Sequence, residues 1–271
     1  MLGKMIKHEL QETGKILIPL NLIVLGIMLL NAVFLGLDLF QKGYLKMIPT
    51  FSLMLYVLGL FALFVLTAVY LTMRFYKTMY SNQGYLTHTL PLSTTAILNT
   101  KILTAVLWLV IAFAATIGSI LFMVKIAMGS SWDPNTFPLL KESISRDLGI
   151  GFGTFLSILI VMIICFIFSM TLMVFASLSV GQLFHQNKIP ASIGAYVVFY
   201  MIQQIISVIF LVILAVANAS TIEELQTGTV NLPMGSFFQT IFAFLIVQCV
   251  ALSIAYYIIS LYISNRKLNL E

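Results

Sequence analysis

Ser81-Asn-Gln-Gly-Tyr-Leu-Thr-His-Thr-Leu-Pro91-Leu-Ser93 is a polar, turn-rich stretch placed between two apolar runs, residues 49–73 and 102–124. Each run is long enough to cross a hydrocarbon core, which takes about 20 apolar residues. An insert of this kind between two such runs reads as a membrane bundle with a segment built to meet something outside lipid. The rest of the chain repeats the apolar pattern. It is 61% hydrophobic and 8% charged, with a mean hydropathy of +1.06, where a soluble domain is about half apolar and about a quarter charged.

Six segments qualify as spans, approximately 16–37, 49–73, 102–124, 149–180, 191–217 and 237–262. Backbone groups in lipid must be satisfied within their own segment, so all six are expected as helices. The fold class is therefore all-α, a polytopic membrane protein treated as one domain over 1–271. The first apolar stretch, about 22 residues, exceeds the roughly 7–15 of a signal peptide, and no clear A-x-A site follows it, so it reads as a retained span. Ahead of it, Leu2, Met5, Ile6 and Leu10 fall near one helical face, with Lys4, Lys7, His8 and Gln11 away from it. That pattern suits an interfacial helix on the inner leaflet; a plain basic lead-in is the alternative. The fourth span exceeds what a bilayer requires and is expected to tilt or to project toward Gly181-Gln-Leu-Phe-His185.

Charge sets the orientation. Lys4, Lys7, Lys15, Arg74, Lys77, Lys101, Lys188, Arg266 and Lys267 share one side with Glu9, Glu12 and Glu271. Lys42, Lys46, Lys125, Lys141 and Arg146 share the other with Asp38, Asp133, Glu142, Asp147, Glu223 and Glu224, which makes the balance net +6 against −1. By the positive-inside rule both termini and the 74–101 loop are cytoplasmic. The cations are scattered through short loops and form no dense stripe with interleaved aromatics, so a nucleic-acid partner is not expected.

The chemistry the sequence lacks is equally informative. No G-x-x-x-x-G-K-[ST] phosphate loop is present, so ATP dependence would have to come from another chain. No H-E-x-x-H, no paired acids within a span and no Ser/His/Asp set occur, and no catalytic residue or metal ligand is expected. His8 and His185 read as solvated loop residues and His88 as part of the insert. Cys165 and Cys249 each sit inside an apolar run and read as packing residues. Spans without a central ionisable group argue against a proton- or sodium-coupled carrier.

Within the insert, the second span should continue as helix through Tyr70-Leu-Thr-Met-Arg-Phe-Tyr-Lys77, with Arg74, Lys77, Phe75 and Tyr76 at headgroup level. Ser81-Asn-Gln-Gly84 has turn composition. Tyr85 to Leu90 is a short mixed segment exposing Tyr85, Leu86 and Leu90, and Pro91 stops it. Ser93 or Thr94 then caps a helix running through Lys101 into the third span, although the acid of a full capping box is missing.

Here the chain resembles the permease subunits of type-2 ABC exporters. Those subunits carry, between their second and third spans, a G-[TY]-L segment, a P-[VL]-S step and a lysine before the third span. The matching residues are Gly84-Tyr85-Leu86, Pro91-Leu92-Ser93 and Lys101. The Gly-Tyr-Leu-Thr and Leu-Pro variant is similar to a subgroup common in Gram-positive bacteria. Two departures stand out: the step from Gly84 to Pro91 is about two residues short of the broad pattern, and Gln83 stands where an acid is frequent. The resemblance implies that the insert, residues 78–101, is a coupling helix docked on a separate ATP-binding subunit through Gly84, Tyr85, Leu86, Leu90 and Pro91. It also implies a bacterial plasma-membrane location, a second copy or related permease as partner, and ATP with Mg on the partner ATPase, none on this chain. A plain re-entry turn is the competing reading of the same residues.

The resemblance further implies a pathway lined by the second and fifth spans. The polar residues there are Thr67 and Tyr70, and Tyr200, Gln203, Gln204 and Ser207, with Gln203 and Ser207 four apart on one face. Bonds between helices explain these as well as cargo contacts do. Asn21, Asn31 and Gln248 read as packing residues, and Gly149-x-x-x-Gly153 and Ala114-x-x-x-Gly118 as close helix contacts. Residues 129–147, with Trp132, Pro134 and Pro138, read as a compact interfacial loop. The expected function is an ATP-driven exporter subunit working by alternating access, its cargo an antimicrobial peptide, lipid or drug. The alternative is a membrane scaffold that docks a cytoplasmic partner through the insert and transports nothing.

Overall fold

The computed structural model describes residues 2–37, 47–81, 84, 93–128, 136–184, 186–217 and 234–266. Its helices are α1 (Leu2–Gly36), α2 (Met47–Tyr80), α3 (Thr94–Met128), α4 (Thr136–Leu148), α5 (Phe152–Gly181), α6 (Lys188–Ala217) and α7 (Met234–Arg266). All but α4 are long and apolar enough to cross a membrane, and these six coincide in order with the six expected spans. No strand occurs among the described residues. Prolines mark helix starts: Pro49, Pro138 and Pro190 are each the third residue of α2, α4 and α6, where the missing N–H has no helical acceptor to lose.

The chain divides into two compact units, residues 1–134 and 135–269. In the first, α1, α2 and α3 pack pairwise against one another. Met28 and Ala32 of α1 cluster with Tyr56 of α2 and Met123 of α3, and Val24, Leu63 and Ala112 form a second cluster. Polar ties sit at one end of this core. Asn31 Nδ2 donates to the Ser52 carbonyl at 3.2 Å and to Ser52 Oγ at 3.0 Å, and the Tyr56 hydroxyl bonds Ser119 Oγ at 2.9 Å.

The amino-terminal segment, expected as a separate interfacial helix, runs without a break into the first span. Nothing between Gln11 and Lys15 stops a helix, and Pro19 is carried inside α1; in lipid a proline is tolerated when neighbouring helices support the freed backbone. At 35 residues α1 measures about 52 Å, some 20 Å more than a hydrocarbon core. The excess places Glu9 outside the apolar zone at the end where α2 leaves and α3 enters the insert.

In the second unit α5 is central, packing along both α6 and α7, with α4 against α5 and α7. The tightest approach is at Gly181, where an added Cβ would collide with Ser192 Oγ and lie 2.7 Å from the Lys188 carbonyl oxygen. Phe210 stacks on Phe244 at 3.5 Å and Phe199 meets Tyr256 at 5.1 Å. α6 is largely an outer helix: only 6% of its most apolar stretch is buried. An apolar surface of that extent is unstable in water and needs lipid or another protein against it.

Two local expectations are corrected. Within 129–147, residues 136–147 belong to a helix, α4, and do not form a loop; a Glu142–Arg146 ion pair of 2.8 Å at i,i+4 and an edge-on contact of Phe137 with Phe152 support it. Gly149 lies outside any helix at φ 64, and neither it nor Gly153 nor Gly118 has a neighbour where a Cβ would sit. The two small-residue patterns therefore make no close contact among the described residues. The fourth span runs as helix to Gly181, where three turn bonds, from the amides of Gln182, Leu183 and Phe184 to the carbonyls of Ser179, Val180 and Gly181, close the chain.

Candidate functional site

The insert leaves from the end of α2 and returns at the start of α3. α2 stays helical to Tyr80 and breaks at Ser81, as the turn composition requires. On the return, Ser93 is the cap: its Oγ accepts from the Ala96 amide at 3.3 Å while its carbonyl accepts from Ala96 and Ile97. Both roots of the insert are firmly buried, with Phe75, Met79 and Tyr80 on the outgoing arm and Ile97, Leu98 and Ile102 on the returning one. Phe75, expected as a headgroup anchor, is 1% exposed and meets Tyr80 edge-on at 5.7 Å. The reason is register: it falls on the stripe of Leu63, Thr67 and Leu71 that α2 turns into its own bundle.

One carboxylate joins the two arms. Glu9 on α1 binds Arg74 Nε through Oε1 at 2.6 Å and Lys101 Nζ through Oε2 at 2.8 Å. The Glu9, Arg74 and Lys101 side chains are 14%, 22% and 10% exposed, so water competes weakly for these charges. Tyr70 stands close enough to Arg74 to favour its charged form. One turn further along α1, Thr13 Oγ1 donates to the Glu9 carbonyl at 2.7 Å and accepts the Trp108 indole N–H at 2.7 Å. Trp108 lies against Gly14, where a Cβ would stand 3.4 Å from the ring. The amino-terminal helix is thus bolted to α2 and α3 by an ion triad and an indole bond just beneath the insert.

Of the five residues assigned to coupling, Gly84 is buried and donates its amide to the Ser81 carbonyl at 2.6 Å. Tyr85, Leu86, Leu90 and Pro91 lie outside the described residues. The residues considered for a pathway fall in different surroundings. Thr67 is fully buried in the first unit, its hydroxyl without a partner among the described residues, and Tyr70 belongs to the ion cluster. In the second unit Gln248 Nε2 of α7 donates to Ser207 Oγ at 2.9 Å and to the Gln203 carbonyl at 3.1 Å of α6. Ser207 is thereby engaged between helices, and Gln248 takes the packing role expected of it. Tyr200 and Gln204 are exposed on α6.

Sequence reasoning counted Glu9 only as one acid among the cytoplasmic charges and missed Thr13 and Trp108 altogether. The available signal was an acid at Glu9 and a threonine at Thr13, i and i+4 on one helical face. Among the described residues no group of histidine, cysteine or acidic side chains is placed to hold a metal.

No family model, curated protein or solved structure matches the chain. The fold by itself defines a class: an all-helical protein with six helices, among the described residues, long and apolar enough for a multi-pass membrane protein.

Proposed function

We propose that the chain is the membrane-spanning subunit of an ATP-driven exporter of the type-2 ABC kind. It docks a separate ATP-binding subunit through residues 78–101 and moves cargo by alternating access in partnership with a second permease. The observation that carries this reading is the shared carboxylate at the root of the insert. A coupling element must pass force to both helices it connects, and Glu9 ties Arg74 on one arm to Lys101 on the other. The buried arms and the Ser93 cap add stiffness at the point where force would enter. The Gly84-Tyr85-Leu86 and Pro91-Leu92-Ser93 steps supply the resemblance, and the excess of cations on the insert side supplies a cytoplasmic orientation. ATP and Mg belong to the partner in this reading, since this sequence has no phosphate loop.

The test is reconstitution with a candidate ATPase. Vanadate-sensitive hydrolysis and ATP-dependent accumulation of cargo in vesicles are expected, with Leu86→Asp/Leu90→Asp releasing the co-purified ATPase. A stable complex that never turns over would make the chain a scaffold. Cargo movement by the chain alone would overturn the reading.

A further inference from the structure

Beside Trp108 a groove of about 940 Å³ opens along the amino-terminal half of α1, a volume typical of small-molecule sites. Its floor is apolar. Because Gly14 has no side chain the indole packs close to the helix, and Ile18 continues that surface. The indole N–H is turned away to Thr13, so the ring offers the groove only carbon. Along one edge stand Lys7, Gln11 and Lys15, at i, i+4 and i+8 on one face of α1. Their backbones span about 12 Å, which two long lysine side chains bridge by leaning toward each other while their stems stay on apolar surface.

We propose that this groove seats one anionic phospholipid, with an acyl chain along Gly14, Ile18 and Trp108 and the phosphate held between Lys7 and Lys15 beside Gln11. The charges decide the occupant. Lys7 makes no ion pair among the described residues, and Lys15 shares its ammonium with the exposed Glu12 at 2.7 Å. Glu9, the other acid of the segment, is committed to Arg74 and Lys101 and does not neutralise the edge. A strip of two cations and an amide above an apolar floor matches a lipid whose head is a phosphate diester without a compensating amine. A zwitterionic head would bring its own cation against Lys7. The site requires only that α1 lie in a membrane and stands whether or not the chain transports anything.

Trp108 reports on it directly. The chain has two tryptophans, so a Trp132→Phe background leaves Trp108 as the only one. The full-length protein is placed in phosphatidylcholine vesicles with a minor fraction of brominated phosphatidylglycerol or, separately, brominated phosphatidylcholine, and quenching is compared. The anionic lipid should reach half-maximal quenching at a membrane fraction about fivefold lower, a preference that shrinks as salt rises. Lys7→Gln/Lys15→Gln should bring the two lipids level, whereas Lys4→Gln, in the same segment but outside the groove, should keep the preference. Equal quenching in the parent chain, a preference indifferent to salt, or its loss with Lys4→Gln alone would each overturn the assignment, the last by showing a diffuse basic surface.

Discussion

Replacing Glu9 with glutamine keeps the shape of the side chain and removes the charge that two cations share. Arg74 and Lys101 then face each other across an amide whose N–H₂ donates toward them. Their mutual repulsion, about 3 kcal/mol for two unit charges about 6 Å apart at an effective dielectric of roughly 20, is present in the parent chain but offset there by Glu9, and in the variant nothing offsets it. That agrees with the 3–5 kcal/mol, in round terms, that follows removal of one partner from a buried pair, and the 22% exposure of Arg74 places this case at the lower end. The assay is reversible unfolding in mixed micelles, followed by Trp108 emission, with the midpoint and slope fitted separately. Glu9→Gln should lower stability by about 3 kcal/mol. Combining it with Lys101→Met should recover about 2 kcal/mol of that loss, because the repulsion disappears with the second cation. A loss under about 0.5 kcal/mol, the level of an ordinary surface substitution, would refute the reasoning, as would strict additivity in the double variant.

Thr13→Val strands the buried Trp108 N–H and should cost about 1–3 kcal/mol with a blue shift of the indole emission, while Thr13→Ser should restore both. Gly181→Ala puts a methyl group onto Ser192 and the Lys188 carbonyl and should destabilise by about 1–3 kcal/mol in a thermal-stability assay in detergent, whereas alanine at Gly153, which has open space, should be near neutral. Gln248→Leu removes the bond to Ser207 and should cost only about 0.6 kcal/mol in the same mixed-micelle titration; a loss of several kcal/mol would show that the α6–α7 contact depends on more than this pair.

The six spans were legible because length and apolarity are local properties, and the helix break at Ser81 and the Ser93 cap were legible because turn and cap chemistry act within four residues. The ion triad was not: Glu9 and Arg74 are 65 positions apart, and nothing in either neighbourhood specifies the other. Phe75 was misplaced for a related reason. Beside Arg74 and Lys77 an aromatic reads as an interface anchor, and only the packing of three helices shows that position 75 turns inward while Tyr76 is part-exposed. α4 was hidden by Trp132, Pro134 and Pro138, which read as loop residues although a proline in a first turn is compatible with helix. The Glu142 and Arg146 spacing was the overlooked signal. The residues most specific to the exporter reading, Tyr85, Leu86, Leu90 and Pro91, lie outside the described residues and rest on their motif.

A junction in which one acid answers two bases constrains how the sequence is free to drift. Losing the acid strands two cations, and losing either base leaves the acid half answered, so single steps away from the present set are costly. Exchange of all three for well-fitting apolar side chains carries no such penalty. Positions 9, 74 and 101 are therefore expected to vary as a block among descendants of this chain, polar together or oily together, and a variant library covering the three positions should recover its stable members at those two corners.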